Sequence, residues 1–147
     1  MSIAEQIQHD TKEAMKSRDR VRSNALRMLQ AALKNSEIEA GRPLTKGEEQ
    51  VVLRRQLKQR EESSEAFRNA GREERAEAEA EEAGMIRAYL PAPLSPEELE
   101  KIVDQAIEET GASGMRDMGA VMGRATAIAG NRAEGRKLSE IAVSRLQ

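Results

Sequence analysis

Apolar side chains recur at steps of three and four along most of this chain, and nowhere do they alternate with polar ones over the length of a strand. The pattern predicts helices only. The first opens at Ser2 and Glu5, a capping box, and carries Ile3, Ile7, Ala14 and Met15 as one stripe. A second carries Val21, Ala25, Met28, Leu29, Ala32 and Leu33, and Gly41 with Pro43 ends it. Thr45 with Glu48 is another capping box, opening a third helix whose apolar positions, Val52, Leu53, Leu57 and Phe67, are sparse and separated by charge. That helix is expected to reach about Ala70, with Gly71 as its stop. Residues 72–83 then alternate Ala with Glu, giving high helix propensity but almost no apolar bulk. The segment is expected to dock through its end, at Met85, Ile86, Tyr89 and Leu90.

Pro91, Pro93 and Pro96 crowd into six residues, where they remove donors and turn the preceding residues away from helix. A domain boundary is placed there. Ser95 as N-cap, Pro96 in the first turn and Glu98 completing the box start a fifth helix, with Leu99, Ile102, Val103, Ala106 and Ile107 inward and Gly111 at its end. Ser113 is positioned to cap a sixth, holding Met115, Met118, Val121, Met122, Ala125 and Ile128 and closed by Gly130 and Asn131. A last helix carries Leu138, Ile141, Ala142 and Leu146. The reading is an all-α chain of two different helical bundles: an N-terminal long-helix domain over residues 1–92 and a compact three-helix domain over residues 93–147.

Composition narrows the chemistry. Ala, Glu, Arg, Leu and Lys make up 79 of 147 residues, and the large apolar side chains number 34, enough for thin helix-on-helix cores. There is no Cys, which excludes disulfides, thiolate zinc sites and cysteine nucleophiles and fits a reducing cytoplasm. No apolar run approaches the roughly 18 to 20 residues needed to span a bilayer, and Met1 to Asp10 lack a basic leader, so a soluble, unprocessed cytoplasmic protein without membrane contact is expected.

The net charge of −2 conceals segregation: residues 11–60 carry +7, residues 61–110 carry −10 and residues 111–147 carry +3. Two basic segments around an acidic one suit contact with a polyanion, although charge on helical surfaces also serves solubility. His9 is the single histidine and stands apart from any Ser, Asp or metal-ligand cluster, so neither a catalytic relay nor a metal site is expected. The many Glu residues have the spacing of a solvated helix face. Phosphate-cradling glycine loops are absent as motifs, and no catalytic residue or cofactor is assigned.

Two local features remain. Gly119 and Gly123 lie four apart, so that a second backbone could approach, most simply within the small domain itself; with Met118 and Met122 they also make a possible partner face. Arg124, Arg132, Arg136 and Lys137 gather around the glycine-bounded turn before the last helix.

Several words of the sequence, in order, resemble the YqeY-like family, the GatB/YqeY group: Arg27 to Asn35, Lys58-Gln59-Arg60, Tyr89-Leu90-Pro91 with Leu94 to Leu99, and Asp117 to Met122. The resemblance covers essentially the whole chain. It implies an all-α fold of two bundles, the second similar to the tail domain of the GatB component of the tRNA-dependent amidotransferase, which helps engage transfer RNA. A label of carbon–nitrogen ligase with glutamine as amido-N-donor travels with it, yet that chemistry needs a glutaminase subunit and an ATP cradle whose motifs the chain lacks. The family tends to have Asp where Glu134 stands, and Asp is the better N-cap. The leading expectation is therefore a tRNA-binding or amidotransferase-related accessory protein, partnered by tRNA or a tRNA-handling protein and without its own active site. Contact would run through Arg124, Arg132, Arg136 and Lys137 to phosphates and 2′-hydroxyls, because two aromatics offer little base stacking. A helical protein-interaction module is the alternative, a true amidotransferase the third, and the oligomeric state is left open.

Overall fold

The computed structural model describes every residue from Met1 to Gln147. Seven α-helices and two 3-10 turns form it, without a strand. The chain divides into two compact units, Met1–Pro91 and Ala92–Gln147.

In the first unit, helices α1 (Ile3–Lys16), α2 (Arg20–Ala40), α3 (Lys46–Asn69) and α4 (Glu73–Arg87) enclose a core of Ile3, Ile7, Leu26, Leu29, Leu33, Val52, Leu53 and Ile86 with Ala14. The end of α2 and the start of α3 follow the expected signals. The Thr45 hydroxyl accepts from the Glu48 N–H while the Glu48 carboxylate accepts from the Thr45 N–H, and Gly41, at φ 71°, takes the left-handed conformation that closes α2. Arg42 also grips the Glu48 carboxylate at 2.7 and 2.9 Å. That ion pair, with the Thr45 N–H and hydroxyl, lowers the Glu48 carboxyl to about 2.

The start of α1 departs from the expected box. Ser2 accepts from the Glu5 N–H, but the reciprocal bond from Glu5 is not made. Instead the carboxylate of Glu49, buried on α3, accepts from the Ile3 and Ala4 N–H groups at 3.3 and 2.8 Å. A residue 45 positions away thus supplies the negative charge that a helix N-terminus favours.

The α4 helix corrects the reading of residues 72–83 more strongly. It lies along α3 over its length, not only at its end. Ala76 and Ala83 are completely covered, and the Ser64 hydroxyl donates to the Ala76 carbonyl at 2.8 Å. Alanine here is the packing surface, because a methyl group lets the two backbones approach closely. Charge supplements it: Arg60 pairs with Glu79 at 2.9 Å and Glu82 at 3.7 Å, Arg87 with Glu61, Arg68 with Glu73, and Arg75 lies over the Phe67 ring. Tyr89 donates from its hydroxyl to Asp10 at 2.5 Å, tying the end of this hairpin to α1; burial, then that hydrogen bond, raises the phenol well above its ordinary value. Met15, Val21 and Met28, expected in the apolar stripes, are about half exposed or more.

In the second unit, α5 (Pro96–Thr110), α6 (Met118–Ala129) and α7 (Gly135–Leu146) pack Leu99, Val103, Val121, Leu138 and Leu146 around the alanines 106, 125, 129 and 142. Ser95 and Glu98 form the expected capping box with Pro96 in the first turn, and Gly111, at φ 67°, ends α5. Ser113 does not cap α6. A 3-10 turn, Met115–Asp117, precedes that helix, and the Asp117 carboxylate instead accepts from the Ser113 N–H at 2.9 Å.

Three outcomes are expected from this architecture. Limited proteolysis of the native chain cuts first in the non-helical segment 91–95, separating two fragments resolvable by mass spectrometry, and a first cut within α3 or α6 contradicts two autonomous units. Glu49→Ala lowers urea stability by about 1 to 3 kcal/mol, with Glu49→Gln costing less because one acceptor remains; no loss in either variant contradicts the cap. Because Glu48 titrates at about 2 in the folded chain, below the ordinary carboxyl value of 4.5, its contribution is complete above about pH 4.5 and lost as pH falls through about 2. NMR titration of its side-chain carbon then gives a midpoint near 2 in the wild type and a higher one in Arg42→Gln, and equal midpoints remove Arg42 as the cause.

Candidate nucleic-acid interface

The basic residues of the second unit are not equivalent once folded. Arg124, on the exposed side of α6, forms an ion pair with Glu109 at the end of α5. The pairing lowers the Glu109 carboxyl and raises the Arg124 guanidinium from their ordinary values. Arg145 is held in the same manner, 3.0 Å from Asp104 and 3.8 Å from Glu100. Both cations are thereby balanced by the acidic helix α5. Of the four arginine and lysine candidates, Arg124 stands apart: it is on the body of α6, engaged with a carboxylate, and not in the turn.

The other three sit at the junction of α6 and α7. Gly130, at φ 62°, ends α6 and leads into a 3-10 turn, Gly130–Arg132, followed by extended backbone at Ala133 and Glu134. Arg132 donates from Nε and Nη2 to the Ala92 carbonyl at 3.3 and 3.1 Å, which fixes the direction of its guanidinium and leaves it exposed. Arg136 is 78% exposed and only loosely opposed by Glu140 at 3.9 Å. Lys137 is exposed.

The helix beneath these side chains is unusual at its start. Glu134 occupies the N-cap position but makes no side-chain cap hydrogen bond, and the first turn of α7 contains no acidic residue. Arg136 and Lys137 instead place two cations where the unsatisfied N–H groups already concentrate positive charge. This arrangement disfavours the free helix end and favours an anion there. The longer Glu side chain, at a position where Asp would cap, is the sequence signal of that uncapped end. The pairing of Arg124 with Glu109 has no local signal, since the two stand 15 residues apart.

The small-residue face of α6 is separate. Met118 and Met122 are half-buried against the core, whereas Gly119 and Gly123 face outward with nothing within 4 Å of where a Cβ would sit. No close helix packing within the unit uses these glycines, contrary to the simplest sequence reading.

In comparisons with known proteins, a family model described as Yqey-like protein matches residues 4–146. The chain is also similar to the altered inheritance of mitochondria protein 41, mitochondrial, of Pyrenophora tritici-repentis (strain Pt-1C-BFP), with 30% identity over 125 residues, 83% of this chain and 68% of that protein.

Proposed function

The chain belongs to the YqeY-like family, and from that premise we propose that its C-terminal unit docks a structured RNA, transfer RNA first among the candidates, as an accessory module to tRNA-handling enzymes. The observation that carries this reading is the start of α7: an uncapped helix end bearing Arg136 and Lys137, with the exposed Arg132, held on the Ala92 carbonyl, in the turn that precedes it. Phosphate oxygens would accept from backbone N–H groups and guanidinium groups together, which a neutral or acidic surface could not offer. The likeness to the tail of an amidotransferase component that the sequence resemblance implies for this unit points to the same class of partner. The amide-transfer chemistry attached to that similarity is assigned to partner subunits.

Arg124 has a lesser part in this reading. Its guanidinium must leave Glu109 before it can serve a phosphate, so its net gain on binding is small.

Reversing Arg132 and Arg136 to Glu is expected to weaken tRNA binding strongly, and each lost phosphate contact should flatten the slope of log affinity against log salt by roughly 0.7 to 0.9. Arg124→Gln should change affinity and slope much less. Filter binding at several salt concentrations, with circular dichroism confirming intact helices, checks both. Unchanged affinity and slope in the double reversal would remove this surface as the RNA site.

A further inference from the structure

A helix that packs against only one side of its own bundle normally covers its other side with charge. Helix α2 does not. Along its outward face lie Val21, Asn24, Met28, Ala31, Asn35 and Ile38, all exposed, with Val21 at 56%, Met28 at 53% and Ile38 at 67%. Their spacing of three, four, three, four and three is that of a two-stranded coiled-coil seam, with Val21, Met28 and Asn35 in one register position and Asn24, Ala31 and Ile38 in the other. In a chain with 34% charged residues, six uncharged positions in strict heptad order over about 26 Å of helix are not a solubility surface.

The seam is also symmetric. About a point midway between residues 29 and 30, Val21 mirrors Ile38, Asn24 mirrors Asn35, and Met28 mirrors Ala31. Each apolar residue reflects onto an apolar one and each amide onto an amide. These are the requirements of an isologous contact, in which one surface pairs with itself about a two-fold axis.

The geometry points to a second copy of this chain as the occupant: two α2 helices pair antiparallel through this seam, forming a homodimer. Val21 then faces Ile38 of the second copy, the large Met28 fills the space beside the second copy's Ala31, and the Asn24 and Asn35 amides bond across the interface and fix the register. The segment from Arg18 to Arg27 is strongly basic, so a parallel pair would place like charge against like, whereas the antiparallel one sets that end beside Glu37 and Glu39 and opposes the helix dipoles. Arg20, Arg27 and Lys34 are seven apart and share one edge of the seam, where Arg27 meets Lys34 of the second copy and opposes pairing. One helix per subunit is also a small contact, so the dimer is weak and concentration-dependent.

Sedimentation equilibrium of the full chain from low to several hundred micromolar tests this. A monomer–dimer equilibrium is expected, with Met28→Glu abolishing dimer while circular dichroism stays unchanged. Arg27→Glu should strengthen association roughly two- to tenfold, since it turns two symmetric like-charge contacts with Lys34 of the second copy into opposite-charge ones. A chain that stays monomeric throughout, leaving the seam to a different protein, overturns the proposal, as does a dimer that Met28→Glu leaves intact. No strengthening in Arg27→Glu overturns the antiparallel pairing.

Discussion

Apolar volume is the scarce quantity in this fold. Each unit has nine buried hydrophobic residues at its centre, and four of the nine in the second unit are alanines. Cores this thin bury too little surface to fix helix positions by hydrophobic contact alone. Polar contacts between helices therefore carry positional information: Glu49 sets the start of α1 against α3, Tyr89 ties the end of α4 to Asp10, and Ser64 holds the α4 backbone through the Ala76 carbonyl. Each is directional, so each fixes a register that interchangeable aliphatic contacts would leave loose. The α3–α4 hairpin applies the same solution in surface form, with methyl groups for close approach and ion pairs along the edges.

Legibility in the sequence follows from the range of the interaction. Capping is decided within four residues, so Thr45 with Glu48 and Ser95 with Glu98 can be read directly, as can the stops at Gly41 and Gly111. The Glu49 cap spans 45 residues, and nothing near Glu49 distinguishes it from its neighbour Glu48. Likewise, an Ala-Glu alternation has the same local appearance whether the alanines face water or another backbone, which is why the burial of Ala76 and Ala83 is not visible in it. Val21 and Met28 show the converse error: apolar residues at helical spacing point to the core, yet α2 has two apolar faces and only one of them belongs to its bundle.

The basic turn is legible as a group of residue types, but its electrostatics are not. A net charge of −2 says little about a surface on which Arg124 and Arg145 are matched by the carboxylates of α5. The area where α7 begins is less closely matched, with Glu140 at 3.9 Å from Arg136. Positive side chains over an uncapped helix end lower the stability of the free helix by repulsion, and an arriving anion removes that penalty as it binds. In the proposed reading, the cost of such a site would be borne by the folded state and the benefit would appear only in the complex.

A site of three cations and one helix end yields few phosphate contacts, and at physiological salt such a contact set gives weak affinity. Dimerisation through α2 would change that arithmetic without altering the site. Two copies of the turn would then belong to one particle, and a second contact on the same RNA would form at a raised effective concentration. The gain depends on whether the spacing of the two turns matches two accessible phosphate stretches, so it would discriminate among RNAs by shape more than by sequence. A weak seam and a weak basic turn, residing in separate units of one chain, are then complementary parts: each is insufficient alone, and association couples the concentration of the protein to its avidity for a folded polyanion.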